Sequence, residues 1–554
     1  MKKNLLLILF FLFCYTAIKA QDSQGGTPYS FNNNKINTVI DLVQVPAPDI
    51  MKLQTEDLDR AQKSEPYRIG VSIPVDFSLT NSGTWTDLPE INSTLWQLTV
   101  KSAGAKSISF GYGQFYLPEG AKLFVYNKSK SRVIGAYTSI NNTENFYFSH
   151  EKISGDEITL ELIIPDAVKN AAVLNITELN YFYRSGETDQ MLAASDPCEV
   201  NINCTPEGTN WQQQKLGVCK LDIRIGANWF NCSGSLVNNT SQNCTPYVLL
   251  ADHCHYDAGY ASAADYSAWV FYFHYEATTC TGTTSSGTKT KTACTLKAHD
   301  TYGSNNAGSD FLLVQINTAI ITSYNVFYNG WDRNNTASTS GVGIHHPAGD
   351  IMKISTYTST LLAANVGGTA SHWQVTWAAT TNGHGVTEGG SSGSPLFNAA
   401  KRIVGTLTGG SSYCTATGDP DYYGKFYNHW DKNGSTAATR LKDWLDPTST
   451  NVTTLDGRAS CTTGISENSF NEERINIYPS PAQSEITIDI RTGDQSLENI
   501  QIYNTLGALV DNIPAISVAN GKAVISIEGL ADGVYYITAI KNKTTFKGQF
   551  IKTK

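Results

Sequence analysis

Three short segments of this sequence contain residue types that could carry out nucleophilic chemistry. The first, GVTEGGSSGSPLF at residues 385–397, packs four glycines and three serines into a bend that leads into an apolar strand. Such a bend is either a turn that needs a permissive backbone or a turn that presents one hydroxyl and aims backbone N–H groups at a developing oxyanion. The bend alone does not distinguish the two, so the choice depends on the rest of the chain.

The other two segments place a histidine and an aspartate at the ends of predicted strands. In YVLLADHCHYD, residues 247–257, an apolar strand ends just before His253. A strand end can fix an imidazole as a general base requires, although the nearby His255 leaves metal binding as an alternative. In NNAGSDFLLVQI, residues 305–316, Asp310 begins an apolar strand. A buried carboxylate needs a partner such as an imidazole N–H there, unless Asp310 is only a turn or capping residue.

Together, His253, Asp310 and Ser392 form the set that a Ser-His-Asp hydrolase needs, each at a strand edge. The chain resembles the trypsin-like proteases, since LLADHC is similar to their LTAAHC and GSSGSP is similar to their GDSGGP, which selects Ser392. The resemblance is closer to the bacterial lysyl endopeptidases and covers about residues 196–457. Its further marks are CSGSLVNNT at 232–240, GWDRNN at 330–335, GIHHPAGD at 343–350 and RLKDWLDPTST at 440–450.

This resemblance implies a role for each site residue. Ser392 would attack the substrate carbonyl, His253 would transfer the proton, and Asp310 would hold the imidazole in the required tautomer. The backbone N–H groups of Gly390 and Ser392 would form the oxyanion hole. The chemistry requires no metal and no organic cofactor. The residues implied to pair with the substrate backbone lie at the end of the strand TLTGG, where glycine allows close approach: Thr408, Gly409 and Gly410.

Substrate specificity is implied by the segment CTATGDPDYYGKF, residues 414–426. Asp421 falls on the aspartate that pairs with the substrate lysine in the lysyl endopeptidases, and Asp419 is the nearby competitor. A buried carboxylate facing an ammonium group favours cleavage after a basic residue. Relatives narrow this pocket with a tryptophan and a histidine, where this chain has Ala364 or Asn365 and Thr408. The choice between lysine alone and lysine with arginine therefore stays open.

The junction before the protease region bears on the same question. Between Lys169 and Lys215 there is no lysine, and Arg184 is the only basic residue. If the enzyme matures by cutting itself in this interval, it must accept arginine; otherwise another protease makes the cut.

The cysteines and the N-terminus indicate an oxidising compartment. MKKNLLLILFFLFCYTAIKA, residues 1–20, has the charged head, apolar core and small final residue of a secretory signal peptide. Its removal leaves ten cysteines, an even number, and we expect them to form disulfides. Their spacing does not contain the paired CxxC sets of a zinc site. The resemblance implies three pairs, Cys198–Cys414, Cys204–Cys280 and Cys232–Cys254. The pairing of four others stays open: Cys219, Cys244, Cys294 and Cys461.

Composition predicts an all-β protein with several domains. A chain of 554 residues exceeds one core, and its net charge of −9 without a basic stripe argues against nucleic acid as a partner. We predict a signal peptide at 1–20, a propeptide with a β-sandwich at 21–195, a chymotrypsin-like double β-barrel at 196–457, a linker at 458–473 and a β-sandwich at 474–554. The alternating patterns LWQLTVKSAG, LFVYNK and ITLELIIP support the first sandwich.

The two flanking regions also resemble known companions of such proteases. FYLPEGAKLFVYN and LNYFYRSG look like a lysyl endopeptidase propeptide, which would assist folding or block the cleft, with a permanent adhesive sandwich as the alternative. INIYPSPAQSEITI, LADGVYYITAI and FKGQFIKTK resemble the sorting domain read by the type IX secretion machinery of Bacteroidota, which implies release or surface attachment outside the outer membrane.

The sequence thus predicts a secreted serine endopeptidase that cuts proteins after basic residues, with its own propeptide and the type IX machinery as partners. A glutamyl-specific relative would need a cationic pocket, and Asp421 argues against it. A pseudoprotease is disfavoured because every residue type of the triad is present. An adhesin would bind proteins through its β domains and would keep that binding without Ser392.

Overall fold

The computed structural model describes residues 23–554 except 33–38, 63–64, 144–145, 185–194, 460, 462–471, 475, 490–496, 505–508, 520 and 542–543. The predicted signal peptide and most of the predicted linker lie outside the described residues. Contacts divide the chain into two compact units, Met1–Cys461 and Thr462–Lys554. The finer boundaries at 195 and 457 stay predictions. None of the described helices is both long and apolar enough to cross a membrane.

The N-terminal region is a β-sandwich, as predicted. A six-stranded sheet with the path β1-β4-β10-β6-β7, with β3 beside β4, packs on the sheet that contains β2, β11 and β5. Their facing side chains form one core that includes Trp96, Phe110, Tyr112 and Leu160. The strands are β1 Asp41–Gln44, β2 Tyr67–Ser78, β3 Thr84–Leu88, β4 Ser93–Lys101, β5 Ser107–Tyr116, β6 Lys122–Asn127, β7 Val133–Tyr137, β8 Phe148–Ser149, β9 Ile153–Ser154, β10 Glu157–Pro165 and β11 Val173–Phe182.

Next along the chain is the first β-barrel of the protease region, which supplies two of the three predicted catalytic residues. Its strands pair in the order β16-β15-β12-β13, with β14 joining β13 to β18 and β18 pairing with β17. The core is apolar and includes Leu221, Phe230, Trp269 and Leu312. The strands are β12 Val218–Ile225, β13 Asn228–Leu236, β14 Tyr247–Leu250, β15 Val270–Phe273, β16 Lys289–Thr292, β17 Cys294–Thr301 and β18 Ala307–Ile316.

The second barrel supplies the serine loop and the predicted specificity pocket. Its main path is β22-β21-β25-β26-β27-β24-β23. Tyr357, Trp377 and Tyr423 fill its centre. The two barrels confirm the chymotrypsin-like class. The strands are β19 Phe327–Tyr328, β20 Trp331–Asp332, β21 Gly341–His345, β22 Lys353–Tyr357, β23 Leu362–Ala364, β24 His372–Val375, β25 Pro395–Asn398, β26 Ile403–Gly410, β27 Asp421–Lys425, β28 Thr454–Leu455 and β29 Arg458–Ala459.

Helices are few and short, which agrees with the all-β prediction. The longest described helix is α2, Ile50–Gln62, and it precedes β2 in the N-terminal region. The α-helices are α1 Tyr29–Asn32, α2 Ile50–Gln62, α3 Ala263–Tyr266, α4 Tyr302–Asn305, α5 Phe426–Asp431 and α6 Lys442–Leu445. The 3-10 helices span Pro89–Ile91, Ser139–Asn141, Asp166–Ala171, Gln214–Gly217, Asp252–His255, Thr322–Tyr324, Pro347–Gly349 and Ala437–Thr439.

The second compact unit is also a β-sandwich. One sheet has the order β30-β37-β36-β33-β34 and the other β31-β32-β35. Alternating burial along β32 and β35 turns one face of the small sheet toward a core that contains Ile486, Ile525 and Phe550. The strands are β30 Glu472–Arg474, β31 Asn476–Tyr478, β32 Glu485–Asp489, β33 Leu497–Asn504, β34 Leu509–Ile516, β35 Lys522–Ser526, β36 Gly533–Lys541 and β37 Thr544–Lys552.

The N-terminal sandwich and the first barrel share a β-sheet. Strand β2 pairs antiparallel with β13, so that Gly70 faces Trp229 and Val71 faces Asn228. Gly70 is required because a Cβ there would lie 2.7 Å from the carbonyl oxygen of Tyr181. The buried indole of Trp229 donates a hydrogen bond to Ser72 Oγ at 3.0 Å. The N-terminal sandwich is thus attached through backbone hydrogen bonds and a packed aromatic side chain.

A buried ion pair lies across the same junction. Lys152 of the sandwich contacts Asp222 of the barrel at 2.8 Å, with both side chains at most 2% exposed. Lys220 contacts the other oxygen of Asp222 at 3.3 Å. Burial alone would raise the pKa of Asp222, but the two ammonium groups outweigh it and lower this pKa to about 2.

We predict that Lys152→Met lowers the free energy of unfolding by about 3 kcal/mol, since removal of one partner leaves a buried charge undercompensated. Because the pKa of Asp222 is depressed on folding, this contribution is present above pH about 4 and is lost as the pH falls toward 2. Urea denaturation at pH 7 measures the effect. The control is Lys128→Met, which removes the exposed pair with Glu157 and should cost under about 1 kcal/mol. Equal losses in the two variants would contradict the prediction.

Candidate active site

His253 and Asp310 form a buried pair on the first barrel. His253 lies in the 3-10 turn Asp252–His255 that follows β14, and Asp310 lies in β18, which pairs with β14. The imidazole Nδ1–H donates to Asp310 Oδ2 at 2.8 Å, and the backbone N–H of His253 donates to Oδ1 at 2.9 Å. Burial lowers the pKa of His253, but the charge and hydrogen bond of Asp310 outweigh it, so this pKa is raised. The pair leaves Nε2 as the imidazole nitrogen that can act on a substrate.

Asp310 has a strained backbone that a second carboxylate supports. Its φ is +60°, a left-handed value that is uncommon outside glycine. The backbone N–H groups of Ser309 and Asp310 both donate to Asp300 Oδ2 at 2.7 Å. Thr406 Oγ1 of the second barrel donates to the carbonyl of Asp310 at 3.3 Å. Asp300 and Thr406 therefore position the carboxylate that orients His253.

The serine loop of the second barrel is held against the first barrel by Ser233. The backbone N–H of Ser233 donates to the carbonyl of Ser392 at 2.8 Å, and its Oγ donates to the carbonyl of Gly390 at 3.0 Å. Gly393 has φ +81°, and a Cβ there would lie 2.8 Å from the backbone nitrogen of Ala251. The loop thus runs beside the end of β14, two residues before His253.

The three serines of the loop have different surroundings. Ser391 is fully buried, and its Oγ hydrogen bonds with His345 Nδ1 at 2.8 Å and accepts the N–H of Glu388 at 3.2 Å. Ser394 is also fully buried. Ser392 alone among them is half-exposed and lines a cavity of about 290 Å³. Of the three hydroxyls, only that of Ser392 is accessible to a substrate in the cleft.

The predicted oxyanion hole has the backbone that such a site needs. Gly390 has φ +98°, and a Cβ there would lie 3.0 Å from the backbone nitrogen of Gly349. Within the described part of the chain, the N–H groups of Gly390 and Ser392 donate no hydrogen bond, whereas the N–H of Gly393 donates to Leu407 at 2.8 Å. Two backbone donors close to the Ser392 hydroxyl are therefore available to a substrate oxyanion.

Asp421 is buried in contact with Thr387 and Ser412, two residues that line the cavity of Ser392. Its Oδ2 accepts hydrogen bonds from Trp377 Nε1 at 2.7 Å, Thr387 Oγ1 at 2.8 Å and Ser412 Oγ at 2.6 Å. Burial raises the pKa of Asp421, and these donors oppose that effect. Thr387 and Ser412 also line the cavity, so their hydroxyls separate the carboxylate from the open space.

The end of β26 forms one wall of the cleft. Gly410 faces Asp421 in the β26–β27 ladder, and a Cβ on Gly410 would lie 2.0 Å from Asp421 Oδ1. Gly409 is unobstructed, with no atom within 4 Å of a Cβ position. Thr408 Oγ1 hydrogen bonds with His372 Nε2 at 3.0 Å. Burial lowers the pKa of His372 to about 4, which keeps this imidazole neutral.

Ala364 and Asn365, the two candidates for the tryptophan position of the relatives, lie next to this wall. Ala364 pairs with His372 in the β23–β24 ladder. Asn365 Oδ1 accepts the N–H of Ala370 at 2.7 Å. Neither position carries an aromatic ring. The imidazole that contacts Thr408 in this wall is that of His372.

The N-terminal region covers the cleft. Arg60, Glu65 and Pro66 line both the 290 Å³ cavity with Ser392 and a neighbouring cavity of about 660 Å³ with His253. Tyr67 packs on Gly389, where a Cβ would lie 2.9 Å from the ring. Arg184 is engaged by Asp57 at 3.0 Å and stacks over Tyr67 at 4.6 Å. Arg184 also lines the 290 Å³ cavity, where these two contacts hold its guanidinium.

Four disulfides brace the protease region. Cys232–Cys254 links β13 to the turn that carries His253, and Cys198–Cys414 and Cys204–Cys280 have the partners that the family resemblance implies. The fourth disulfide joins Cys244 to Cys461, a pairing that the sequence does not predict. Cys219 and Cys294 are buried free thiols in the core of the first barrel.

Comparison with known protein families assigns two parts of the chain. Residues 192–424 match the family described as lysyl endopeptidase, C-terminal domain, and residues 476–553 match the secretion system C-terminal sorting domain. Among solved structures, the protease Anisep from Arthrobacter nicotinovorans is 18% identical, with 38% of this chain and 91% of that chain covered and a TM-score of 0.28. A Glu endopeptidase in complex with MPD is 17% identical, with 42% and 93% covered and a TM-score of 0.26.

The family matches confirm the predicted resemblance. The protein is a secreted serine protease built on two β-barrels. More particularly, its protease region is similar to the C-terminal domain of the lysyl endopeptidases, and its tail is similar to type IX sorting domains.

Several residues that build the site were missed by the sequence analysis. These residues are Ser233, Asp300, His345, His372, Trp377, Thr387, Thr406 and Ser412. Four of them, Ser233, His345, Thr387 and Thr406, lie in segments quoted in the sequence analysis, but nothing in those segments gives these residues a role in the site.

We predict that Gly393→Ala separates the serine loop from β14, because a side chain at φ +81° is strained and its Cβ would lie 2.5 Å from the carbonyl oxygen of Ser233. The free energy of unfolding should fall by about 2–3 kcal/mol, measured by urea denaturation. The matched control is Gly418→Ala, whose added Cβ meets no atom within 4 Å and should cost under about 0.5 kcal/mol. The outcome against the prediction is the same stability for both variants.

Proposed function

We propose that this protease hydrolyses peptide bonds on the carboxyl side of lysine through a Ser392 acyl-enzyme. The observation that carries the proposal is the buried His253–Asp310 pair at 2.8 Å, beside a loop in which Ser392 alone presents an accessible hydroxyl. This arrangement supplies a nucleophile, a general base and an orienting carboxylate.

In the proposed mechanism, Ser392 Oγ attacks the scissile carbonyl carbon while His253 Nε2 takes the hydroxyl proton. The N–H groups of Gly390 and Ser392 stabilise the negative oxygen of the tetrahedral intermediate. The protonated imidazole, held by Asp310, then gives its proton to the leaving amine, and the acyl-enzyme forms. Water attacks the acyl-enzyme by the same route and releases the new carboxyl terminus.

Asp421 supports the preference for a basic side chain. Its buried carboxylate accepts hydrogen bonds from the hydroxyls of Thr387 and Ser412, and both of these residues line the cavity beside Ser392. A lysine ammonium is compact and has three donors, so it can bond to these hydroxyl oxygens while its charge faces the carboxylate. The planar guanidinium of arginine is larger and needs acceptors spaced across its plane. We therefore expect lysine to be the better substrate.

The N-terminal sandwich acts as the inhibitory propeptide in this proposal. Arg60, Glu65 and Pro66 lie where a substrate chain would run between His253 and the end of β26. The Asp57–Arg184 ion pair also engages the basic residue nearest the protease region, so a cut after Arg184 requires this pair to open first. The predicted Sec signal peptide and the sorting domain would deliver the chain to the cell exterior, where its substrates are proteins.

Digestion of one unfolded protein by the processed enzyme tests the reaction. New termini mapped by mass spectrometry should follow lysine, and Ser392→Ala should lower the rate by more than about 10³-fold. Cuts after lysine and arginine at similar rates would overturn the lysine preference but keep the mechanism. Equal digestion by the Ser392→Ala enzyme, or none by fully processed enzyme, would instead favour a binding protein.

Asp421→Asn tests the pocket. The variant keeps the shape of the carboxyl group but removes its charge, so kcat/KM for a lysyl peptide amide should fall by about 10³-fold. The matched control is Asp419→Asn, because Asp419 is exposed and accepts none of these pocket hydrogen bonds; its kcat/KM should stay within about twofold. Similar losses in the two variants would remove Asp421 from the role of specificity residue.

A further inference from the structure

A second group of titratable residues surrounds the turn that carries His253. Asp252, Asp300 and Asp310 are all buried, with at most 4% of each residue exposed. Among the described residues, none of these three carboxyl groups forms an ion pair with lysine or arginine, and the ion pairs of Asp252 and Asp310 are with histidine. Imidazoles are therefore the ion-pair partners of Asp252 and Asp310 in this part of the barrel.

Asp252 joins two imidazoles that the proposed mechanism does not use. Its Oδ1 lies 2.8 Å from His255 Nε2 and 2.9 Å from His299 Nδ1. The three ligand atoms all lie within 4.8 Å of one another. His255 is on the same turn as His253, whereas His299 is on the neighbouring strand β17. The cluster thus connects the catalytic turn to a separate strand.

The donor set has the chemistry of a transition-metal site. Two imidazole nitrogens and one carboxylate oxygen suit Zn²⁺, with metal–ligand distances of about 2.0–2.2 Å and hence ligand atoms roughly 3.3 Å apart in a tetrahedron. The two nitrogen–oxygen separations, 2.8 and 2.9 Å, need to lengthen slightly, and the two imidazole nitrogens, which lie within 4.8 Å of each other, need to approach to the same distance. The His299 side chain is 26% exposed, which leaves room for a water as the fourth ligand.

The surroundings also provide the outer hydrogen bonds that hold metal ligands in place. His255 Nδ1 hydrogen bonds with the hydroxyl of Tyr266 at 2.6 Å, which fixes the ring and leaves Nε2 for a metal. Asp252 Oδ2 accepts the backbone N–H of Gly303 at 2.6 Å, so its other oxygen can bind a cation. Both ligands are therefore oriented by contacts that metal binding would keep, with Tyr266 changing from donor to acceptor.

We propose that Asp252, His255 and His299 form a Zn²⁺ site that fastens the turn carrying His253 to strand β17. The ion replaces the two hydrogen bonds to Asp252 Oδ1. The proton of His255 Nε2 moves to its Nδ1 and the proton of His299 Nδ1 moves to its Nε2, so each imidazole stays neutral and has a free nitrogen for the metal. The site is separate from the triad atoms: His253 Nδ1 stays with Asp310, and its Nε2 stays directed at the cleft.

Isothermal titration calorimetry tests the site with untagged full-length Ser392→Ala protein and ZnCl₂. We expect one tight site, and a Tm that rises with zinc concentration. His299→Gln and, as a variant that keeps the side-chain shape, Asp252→Asn should each weaken zinc binding by more than about tenfold. The control is His384→Gln, since this half-buried histidine lies outside the cluster and should not change zinc affinity.

The outcomes that overturn the proposal are distinct. No zinc binding by the Ser392→Ala chain would mean that the three residues form only a hydrogen-bonded network. Unchanged affinity in both folded variants, checked by circular dichroism, would place the zinc elsewhere. Because calorimetry requires no turnover, these results are independent of whether the proposed protease activity is found.

Discussion

Ser233 of the first barrel holds the loop that carries Ser392 from the second barrel, and the geometry of the active site depends on that attachment. His253 and Asp310 belong to the first barrel, so the proposed triad requires that the two barrels keep their relative position. Two hydrogen bonds from Ser233, to the carbonyls of Gly390 and Ser392, fix this position at the loop itself. Among the described residues, the N–H groups of Gly390 and Ser392 donate no hydrogen bond, which leaves them for the proposed oxyanion hole.

The rest of the site follows from this constraint. Gly390 and Gly393 must be glycine because the loop bends through positive φ angles while it lies close to the backbone of its neighbours. The hydroxyl of Ser391 hydrogen bonds with His345 inside the protein, whereas the following residue, Ser392, is partly exposed. On the other side of the cleft, Gly410 makes room for the carboxylate of Asp421.

The sequence predicted the parts of the site whose signal is local. His253 and Asp310 stand at strand ends, and the serine loop has a composition that few ordinary turns require. The supporting residues could not be predicted, because Ser233, Asp300 and Thr406 reach the site only through the pairing of distant strands. The all-β class followed from alternating patterns, but alternation does not specify the neighbour of a strand.

The same limit explains other differences between the sequence analysis and the structure. No local pattern indicates that β2 of the sandwich joins β13 of the barrel. An even number of cysteines favoured disulfides but did not identify the partner of Cys244, nor that Cys219 and Cys294 remain buried thiols. These properties depend on distances in the folded chain, which cysteine spacing does not determine.

If the N-terminal sandwich is a propeptide, as proposed, the sheet shared by β2 and β13 means that a covalent cut alone would not release it. After cleavage between the two regions, the sandwich is still held by backbone hydrogen bonds, the Trp229 contact and the Lys152–Asp222 pair. Cleavage would change the effective concentration of the sandwich at the protease region. While the two are linked this concentration is high, whereas a cleaved sandwich is a separate molecule that dilution can remove.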